Sequence, residues 1–409
     1  VSWITQKLPD VLFIQEGPGI RKYEYEENGY PMINVRCVQD GYIDMSSARC
    51  ASMELATTKW KHFQVDEGDI LYTISGTIGR SAIVKEADLP LLMNTSVVRF
   101  KSLTPDLDPK FVYYYFKTDL FIDELLGHST GTAIKNVGPS HLKKMDISYP
   151  SLEEQKRIVA ILDQAFTHID KARALTEQNL RNVRELFESY LQQVFSLIGD
   201  RYVEEALDDA CELITCGVAA TPKYVDESEG VPFLSAQNVK SGKVVLDKYR
   251  HISKDLHAKL TKKNMPKKGD ILYSRVGAGF GEAAVVEHEF EFSVYVSLTL
   301  IQPIEAKLDS YYLKYLLNSP QIKSLARSSI TSSGVPNLNV KSVRKFLITY
   351  PALQKQKSVV RSIELMESEI GNLESIYQNK LLELDTLKKS LLQKAFSGEL
   401  TKNMGEAAA

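Results

Sequence analysis

The sequence predicts an α+β (mixed α/β) protein: two globular heads in tandem, separated by two long helices packed as an antiparallel coiled coil, with internal pseudo-two-fold symmetry. Three observations carry this expectation. Anchors recur at a constant separation of 201 residues: Pro31 with Pro232, Gly68-Asp69-Ile70-Leu71-Tyr72 with Gly269-Asp270-Ile271-Leu272-Tyr273, Asp108 with Asp309, Tyr149-Pro150 with Tyr350-Pro351, and Ser189–Ser196 with Ser390–Ser397. A period this long describes two copies of a domain-plus-helix unit, not a solenoid of about 20–50-residue repeats. Each copy also opens with short β-rich runs between Gly, Pro and Asn turns, and closes with a long apolar heptad pattern.

The elements follow in order. In the first head, Met32–Val35, Ile70–Ile74, Ala82–Val84 and Ser96–Phe100 read as strands; Phe233–Leu234, Ile271–Ser274, Ala283–Val286 and Val294–Ile301 answer them in the second. Asp108-Pro109 starts a helix, with Asp as N-cap and Pro at the first helical position, and Asp309 caps its counterpart. The aromatics Phe111, Tyr114, Tyr115, Tyr311, Tyr312 and Tyr315 fall at the spacing of an apolar helix face, so they read as core rather than as base-stacking platforms.

Each head ends at Tyr-Pro and a long helix follows. The second helix carries the clearer seam: Ile363, Met366, Ile370, Leu373, Tyr377, Lys380, Leu384, Leu387 and Leu391. The first answers with Leu162, Ala165, Ile169, Ala172, Thr176, Asn179, Val183, Leu186 and Tyr190, keeping a polar residue where the second has Lys380. These readings place the first head at 1–150, its helix at 151–199, the second head at 200–351, its helix at 352–400 and a tail at 401–409. Antiparallel packing of the helices would set the heads at opposite ends of a rod about 68 Å long, at 1.5 Å per residue.

Composition excludes several classes. At 409 residues, 44% hydrophobic and 25% charged, the chain resembles an ordinary globular protein with ample core. Net charge is −2, with 16 basic and 19 acidic residues over 1–150 and 20 and 18 over 200–351, so any DNA-facing surface must be a local patch. Cys37, Cys50, Cys211 and Cys216 form no CxxC pair and read as reduced thiols; no metal site is expected. There is no run of about 18 apolar residues and no signal-peptide core, so a cytoplasmic protein with no membrane contact is expected. The start at Val1 rather than Met suggests an unusual start or a trimmed end.

No catalytic constellation is found. Walker A and the Asn-Pro-Pro-aromatic motif are missing. Val276-Gly277-Ala278-Gly279-Phe280-Gly281 leads into a β-rich run, whereas phosphate cradles open a helix. Pro9-Asp10 with Glu16-Gly17-Pro18 lacks the lysine of a nuclease motif. A binding or scaffolding role is therefore expected.

Candidate contacts cluster in matched loops. The first loop pair holds Ser75, Gly76, Thr77 and Arg80, answered by Arg275, Gly277 and Gly279. Glycine lets backbone approach a ligand closely; Ser, Thr and Arg bond phosphates or base edges. The second pair holds Thr132, Lys135 and Asn136, answered by Ser332, Ser333, Asn337 and Asn339, each leading to a basic pair, Lys143-Lys144 or Arg344-Lys345. Lys262 and Lys263 lie in the densest positive stretch. Hairpin turns and solvated loops would account for the same residues.

The ordered set resembles a known family. A Gly-Asp-Ile-Leu strand, a Gly-rich loop, an Asp-capped helix, a Tyr-Pro exit with Gln155-Lys156-Arg157-Ile158-Val159 or Gln356-Lys357-Ser358-Val359-Val360, and the closing Leu391-Leu392-Gln393-Lys394-Ala395-Phe396-Ser397-Gly398-Glu399-Leu400 are similar to the specificity subunit of Type I restriction-modification enzymes. The resemblance covers nearly the whole chain. It implies two target-recognition domains, each reading one half of a split sequence in double-stranded DNA, with the helices setting the spacer. It implies no catalysis in this chain. Two methyltransferase (modification) subunits would bring S-adenosylmethionine and base flipping, and restriction/translocase subunits using ATP and Mg can join. The heads diverge outside the anchors, so different half-sites are expected. The alternative is a coiled-coil scaffold joining two protein-binding heads.

Overall fold

The computed structural model describes residues 2–127, 137–197, 202–262, 264–277, 279–330 and 337–402. The chain divides into two compact units, Val1–Thr176 with Asn379–Ala409, and Glu177–Gln378. Each unit thus holds one head and parts of both long helices. Among the described residues no helix is long and apolar enough to cross a membrane.

In the first unit a four-stranded antiparallel sheet runs in the spatial order Leu12–Glu16, Val97–Ser102, Ile70–Thr73, Ser81–Ile83. A smaller sheet joins Tyr25–Glu26, Arg49–Ala51, Tyr30–Ile33 and Leu92–Met93, its last pair parallel. Ile4–Lys7 pairs antiparallel with Asp146–Tyr149, so the head's two ends meet. The second unit repeats the plan: Cys211–Cys216, Leu298–Pro303, Ile271–Ser274 and Ala283–Val285 form the larger sheet, extended by Lys243–Val244 and Val239–Lys240. Val203–Ala206 pairs with Leu347–Tyr350.

The Gly-Asp-Ile-Leu-Tyr anchor has a local cause. Gly68 and Gly269 turn the chain at φ +83° and +90°. Asp69 and Asp270 are buried and each accepts a hydrogen bond at 2.8 Å from the backbone three residues earlier, closing that turn. Burial holds both carboxyls above the usual carboxylate range. The Tyr72 and Tyr273 rings fill the centre of each head's core.

Two expected elements are split. The Asp-capped helix ends at Tyr115 and a second runs Asp119–Gly127, because Thr118 turns its hydroxyl back to the Tyr115 carbonyl and accepts from the Phe121 N–H. In the second unit Ser319-Pro320 makes the same break between Ser310–Asn318 and Pro320–Ser328. The run Val294–Ile301 becomes Ser293–Val294 and Leu298–Pro303, which belong to different sheets. The helix aromatics are core: Phe111, Tyr114, Tyr115, Tyr312 and Tyr315 are buried, with Tyr311 packed beside them.

The long helices span Leu152–Ser196 and Leu353–Phe396. In the first unit Asp170 meets Lys388 and Arg173 meets Asp385; numbers rise along one helix as they fall along the other, so the pair is antiparallel. In the second unit Arg184 meets Glu374 at 2.7 Å, while Leu191 shares a core with Val360 and Ile363. The repeated closing segments serve opposite heads. Leu191 and Phe195 pack into the second head, Phe195 edge-on to Tyr312, whereas Leu392, Ala395 and Phe396 pack against Phe111 and Tyr115 of the first.

The seam departs from the heptad expectation. Leu162, Ile169, Val183, Ile363 and Ile370 are buried, and Met366, Leu384 and Leu391 are half-buried. Leu186, Leu373, Lys380 and Leu387 are exposed; the more covered positions lie one residue on, at Phe187, Glu374, Leu381 and Lys388. The covered face follows Ile370, Glu374, Tyr377, Leu381, Leu384, Lys388 and Leu391, a seven-residue repeat displaced to one side of the expected seam. Leu387→Ala should therefore change stability by no more than about 0.5 kcal/mol, and Leu392→Ala should cost about 2–4 kcal/mol. Thermal unfolding of the two variants checks this; similar losses would restore the heptad frame.

Candidate nucleic-acid interface

The two candidate loops of each head meet at one place. In the first head Ile74 leaves its strand and donates its N–H to the Ser96 carbonyl (3.1 Å), while the Val137 N–H reaches the Ile74 carbonyl at 3.5 Å. In the second head the Arg275 N–H donates to the Ser297 carbonyl and the Leu338 N–H to the Arg275 carbonyl, both at 3.0 Å. Val276 and Asn337 add a β-bridge. The smaller sheet's exit joins the same point: the Val35 N–H donates to Ser96 Oγ and the Ala236 N–H to Ser297 Oγ, each at 2.9 Å. Three segments per head thus converge on one serine. Ser96 and Ser297 escaped the sequence reading, although their 201-residue separation marks them as equivalent.

The loops are shaped as glycine allows. Gly76 and Gly79 take φ of +70° and +102°, and Gly277 takes +90° with open space where a Cβ would project. Thr73 closes the first loop, its Oγ1 donating to the Thr77 carbonyl (2.6 Å) and accepting from the Arg80 N–H (3.0 Å). Ser75 and Arg80 are half-buried, and Gly76 and Thr77 are exposed. Gly279 lies against Val239 and Glu282.

Exposed basic residues follow short helices of each head. Lys143 and Lys144 follow the turn of helix Pro139–Leu142, exposed, and Lys345 follows Val340–Arg344 in the equivalent place. Lys262 is exposed at the end of Lys254–Thr261. Thr132, Lys135, Asn136, Lys263, Ser332 and Ser333 lie outside the described residues.

Two of the expected contact residues also have partners within the fold. Asn339 accepts from the Lys341 N–H at 2.9 Å and caps helix Val340–Arg344. Arg344 donates through Nε and Nη2 to the Ile214 carbonyl (3.1 and 2.5 Å) and lies 3.6 Å from Asp208, which ties the helix to a strand. A further pair of features was not foreseen. Arg49 lies over the Tyr25 ring at 5.2 Å and Arg250 over Tyr224 at 5.3 Å, both arginines exposed on the smaller sheets and 201 residues apart. Arg250 and Tyr224 also line a pocket of about 280 Å³ with Phe233, Gln237 and Tyr295.

Other chemistry is sparse. No group of three or more His, Cys, Asp or Glu residues that could hold a metal ion occurs among the described residues. Cys37, Cys50, Cys211 and Cys216 are free thiols, and burial pushes Cys211 up to about 12, which keeps it protonated and unreactive. The glycine-shaped loops leave room for close approach of a ligand, and two near-equivalent copies of them exist in one chain.

Comparison with known proteins agrees in register with the internal repeat. The family model for the Type I restriction modification DNA specificity domain matches residues 1–179 and again 200–380. The specificity subunit of the Type I restriction enzyme EcoBI from Escherichia coli is 22% identical over 98% of this chain and 86% of its own length. That of MjaIX from Methanocaldococcus jannaschii is 24% identical over 98% and 94%. In fold, the chain is similar to one from a structure concerning complex assembly and conformational transition of the type I R-M system (TM-score 0.77, 18% identity, 97% of this chain and 98% of that one). It is also similar to the HsdS subunit from Thermoanaerobacter tengcongensis (TM-score 0.60, 18% identity, 97% of each).

Proposed function

The chain belongs to the family of Type I restriction modification DNA specificity domains, and from that premise we propose that it is the specificity subunit of such a system, each head reading one half of a bipartite target in double-stranded DNA. One observation carries the reading: the family match falls once on each head, and in each head segments of the two candidate loops meet, the second leading in sequence to exposed lysines. Phosphate contacts from those lysines supply affinity and register, while the loops meet base edges. The long helices set the distance between the half-sites.

The chain itself performs no chemistry in this reading. Two modification subunits supply S-adenosylmethionine and the methyl transfer, and restriction subunits using ATP and Mg are further partners, in the cytoplasm. Exposed apolar residues on the helices support a paired docking role. Leu175 and Leu387 in the first unit are repeat-equivalent to Ile376 and Leu186 in the second, and all four are exposed. One modification subunit per unit would cover them.

Lys143→Ala with Lys144→Ala tests the DNA reading. Binding should weaken for every sequence alike, and the slope of log affinity against log salt should become shallower by about one for each phosphate no longer neutralised. An unchanged slope would remove these lysines from the interface. Salt-insensitive binding of the wild type would favour the protein-binding scaffold.

A further inference from the structure

The two heads differ at one buried position of the convergence point. The first head places Ile74 there, in its apolar core. The second places Arg275, which is 9% exposed. Its Nη2 donates to Asn337 Oδ1 at 3.0 Å, and its Nε is buried with no partner. Among the described residues no carboxylate lies within ion-pair distance of it. A guanidinium held this way is unusual, because burying a charge is costly unless it is paired and fully hydrogen-bonded. An apolar residue suffices at the same place in the first head, so the fold does not require the charge.

Two further features lie beside the group. Asn337 is exposed, and with Oδ1 engaged by Arg275 its amide N–H groups remain as donors. Gly277, two residues on from Arg275, holds positive φ and has open space where a Cβ would project. The arginine is fixed in one plane by a neighbour that accepts from one end of its fork. Nε is enclosed, so the donors left to a ligand are Nη1 and the second Nη2 hydrogen, a pair with the spacing of the O6 and N7 acceptors of guanine.

We infer that Arg275, positioned by Asn337, reads a guanine in the second half-site, and that the first head, with Ile74, has no counterpart of this contact. The inference rests on the DNA-reading function proposed above. A phosphate would satisfy the same donors, and the two sources are separable. Base readout changes which sequences are used; a phosphate contact changes affinity for all of them alike.

The test uses the complete system in its host, with methylated sites mapped genome-wide for the wild type, the gene deletion, and the variants Arg275→Ala, Arg275→Lys and Asn337→Ala. Arg275→Ala should relax one G·C position of the second half-site, lowering discrimination there by roughly 10- to 100-fold, and leave the first half-site unchanged. Arg275→Lys should not restore it, because an ammonium cannot form the two-pronged contact. Asn337→Ala, an exposed change that leaves folding intact, should relax the same position. A uniform fall in methylation with an unchanged motif would assign Arg275 to a phosphate and overturn the inference. So would a motif and extent of methylation unaltered in all three variants while the deletion abolishes methylation. Methylation that survives the gene deletion would instead overturn the underlying function.

Discussion

Gln155→Ala should lower the unfolding temperature of the first unit by roughly 6–12 °C, and Gln356→Ala should do the same to the second. Both glutamines are completely buried where head meets helix. Gln155 Nε2 donates to the carbonyls of Asp106 (2.8 Å) and Pro150 (2.9 Å), and its Oε1 accepts from the Asp108 N–H (2.9 Å). Gln356 repeats each bond, to Lys307 (2.8 Å), Pro351 (2.7 Å) and Asp309 (2.8 Å). One side chain thus ties the Tyr-Pro exit, the loop before the Asp-capped helix and the first turn of the long helix. Truncation leaves one buried and two part-buried backbone groups unpaired, at about 1–3 kcal/mol for a fully buried one, so a loss of about 3 kcal/mol is expected. Gln155→Glu should fail as well, since a carboxylate cannot donate to two carbonyls. Calorimetric unfolding of the full chain is the measurement. A shift below about 2 °C would mean water replaces the amide at little cost, and the head-to-helix joint would then rest on apolar packing alone.

Shortening both long helices by seven residues should move the half-sites closer while leaving their sequences alone. Each residue contributes about 1.5 Å of helix, so the excision removes about 10 Å. Seven residues fall only about 20° short of two full turns, so the side chains beyond the cut keep nearly the same facing. Cutting both partners preserves the antiparallel pairing seen as Asp170 with Lys388 and Arg173 with Asp385. With about 3.4 Å per base pair, the gap should shrink by roughly one to three base pairs. The methylated motif of the shortened protein reads this out. An active complex with an unaltered gap would mean that something other than the helices sets the spacing.

Much of this architecture was legible in the sequence because its causes are local. Asp108 and Asp309 cap their helices as their position before the first turn requires, each accepting from two backbone N–H groups. Gly68 and Gly269 adopt the positive φ that only glycine takes easily. The 201-residue period carried these readings from one head to the other. What escaped depended on three-dimensional context. Ile4–Lys7 is short and wholly exposed, and it is a strand only because Asp146–Tyr149, far along the chain, lies beside it. Leu186 and Leu387 fit a heptad on paper, but the covered face runs through Phe187 and Lys388 and leaves them outside.

The candidate site shows the same division. The loops were found from glycine, small polar and basic residues, and the structure brings the members of each pair together through Ile74 with Val137 and Arg275 with Leu338. The cap made by Asn339 and the strand tie made by Arg344 escaped the sequence, because a polar side chain in a loop looks the same whether it faces a ligand or holds the fold. Gln155 and Gln356 stood inside the motif that suggested the family, yet their clamp could not be read without the folded backbone around them. Ser96 and Ser297 were hidden for the same reason.

The central claim is that this chain chooses the DNA sequence to be modified. Methylation-sensitive long-read sequencing of the source genome, with and without the gene, tests it most directly. The account predicts that one bipartite motif, with adenine methylated in each half, disappears on deletion and returns when the gene is restored. A full set of methylated motifs retained in the deletion strain of a demonstrably active system would contradict it.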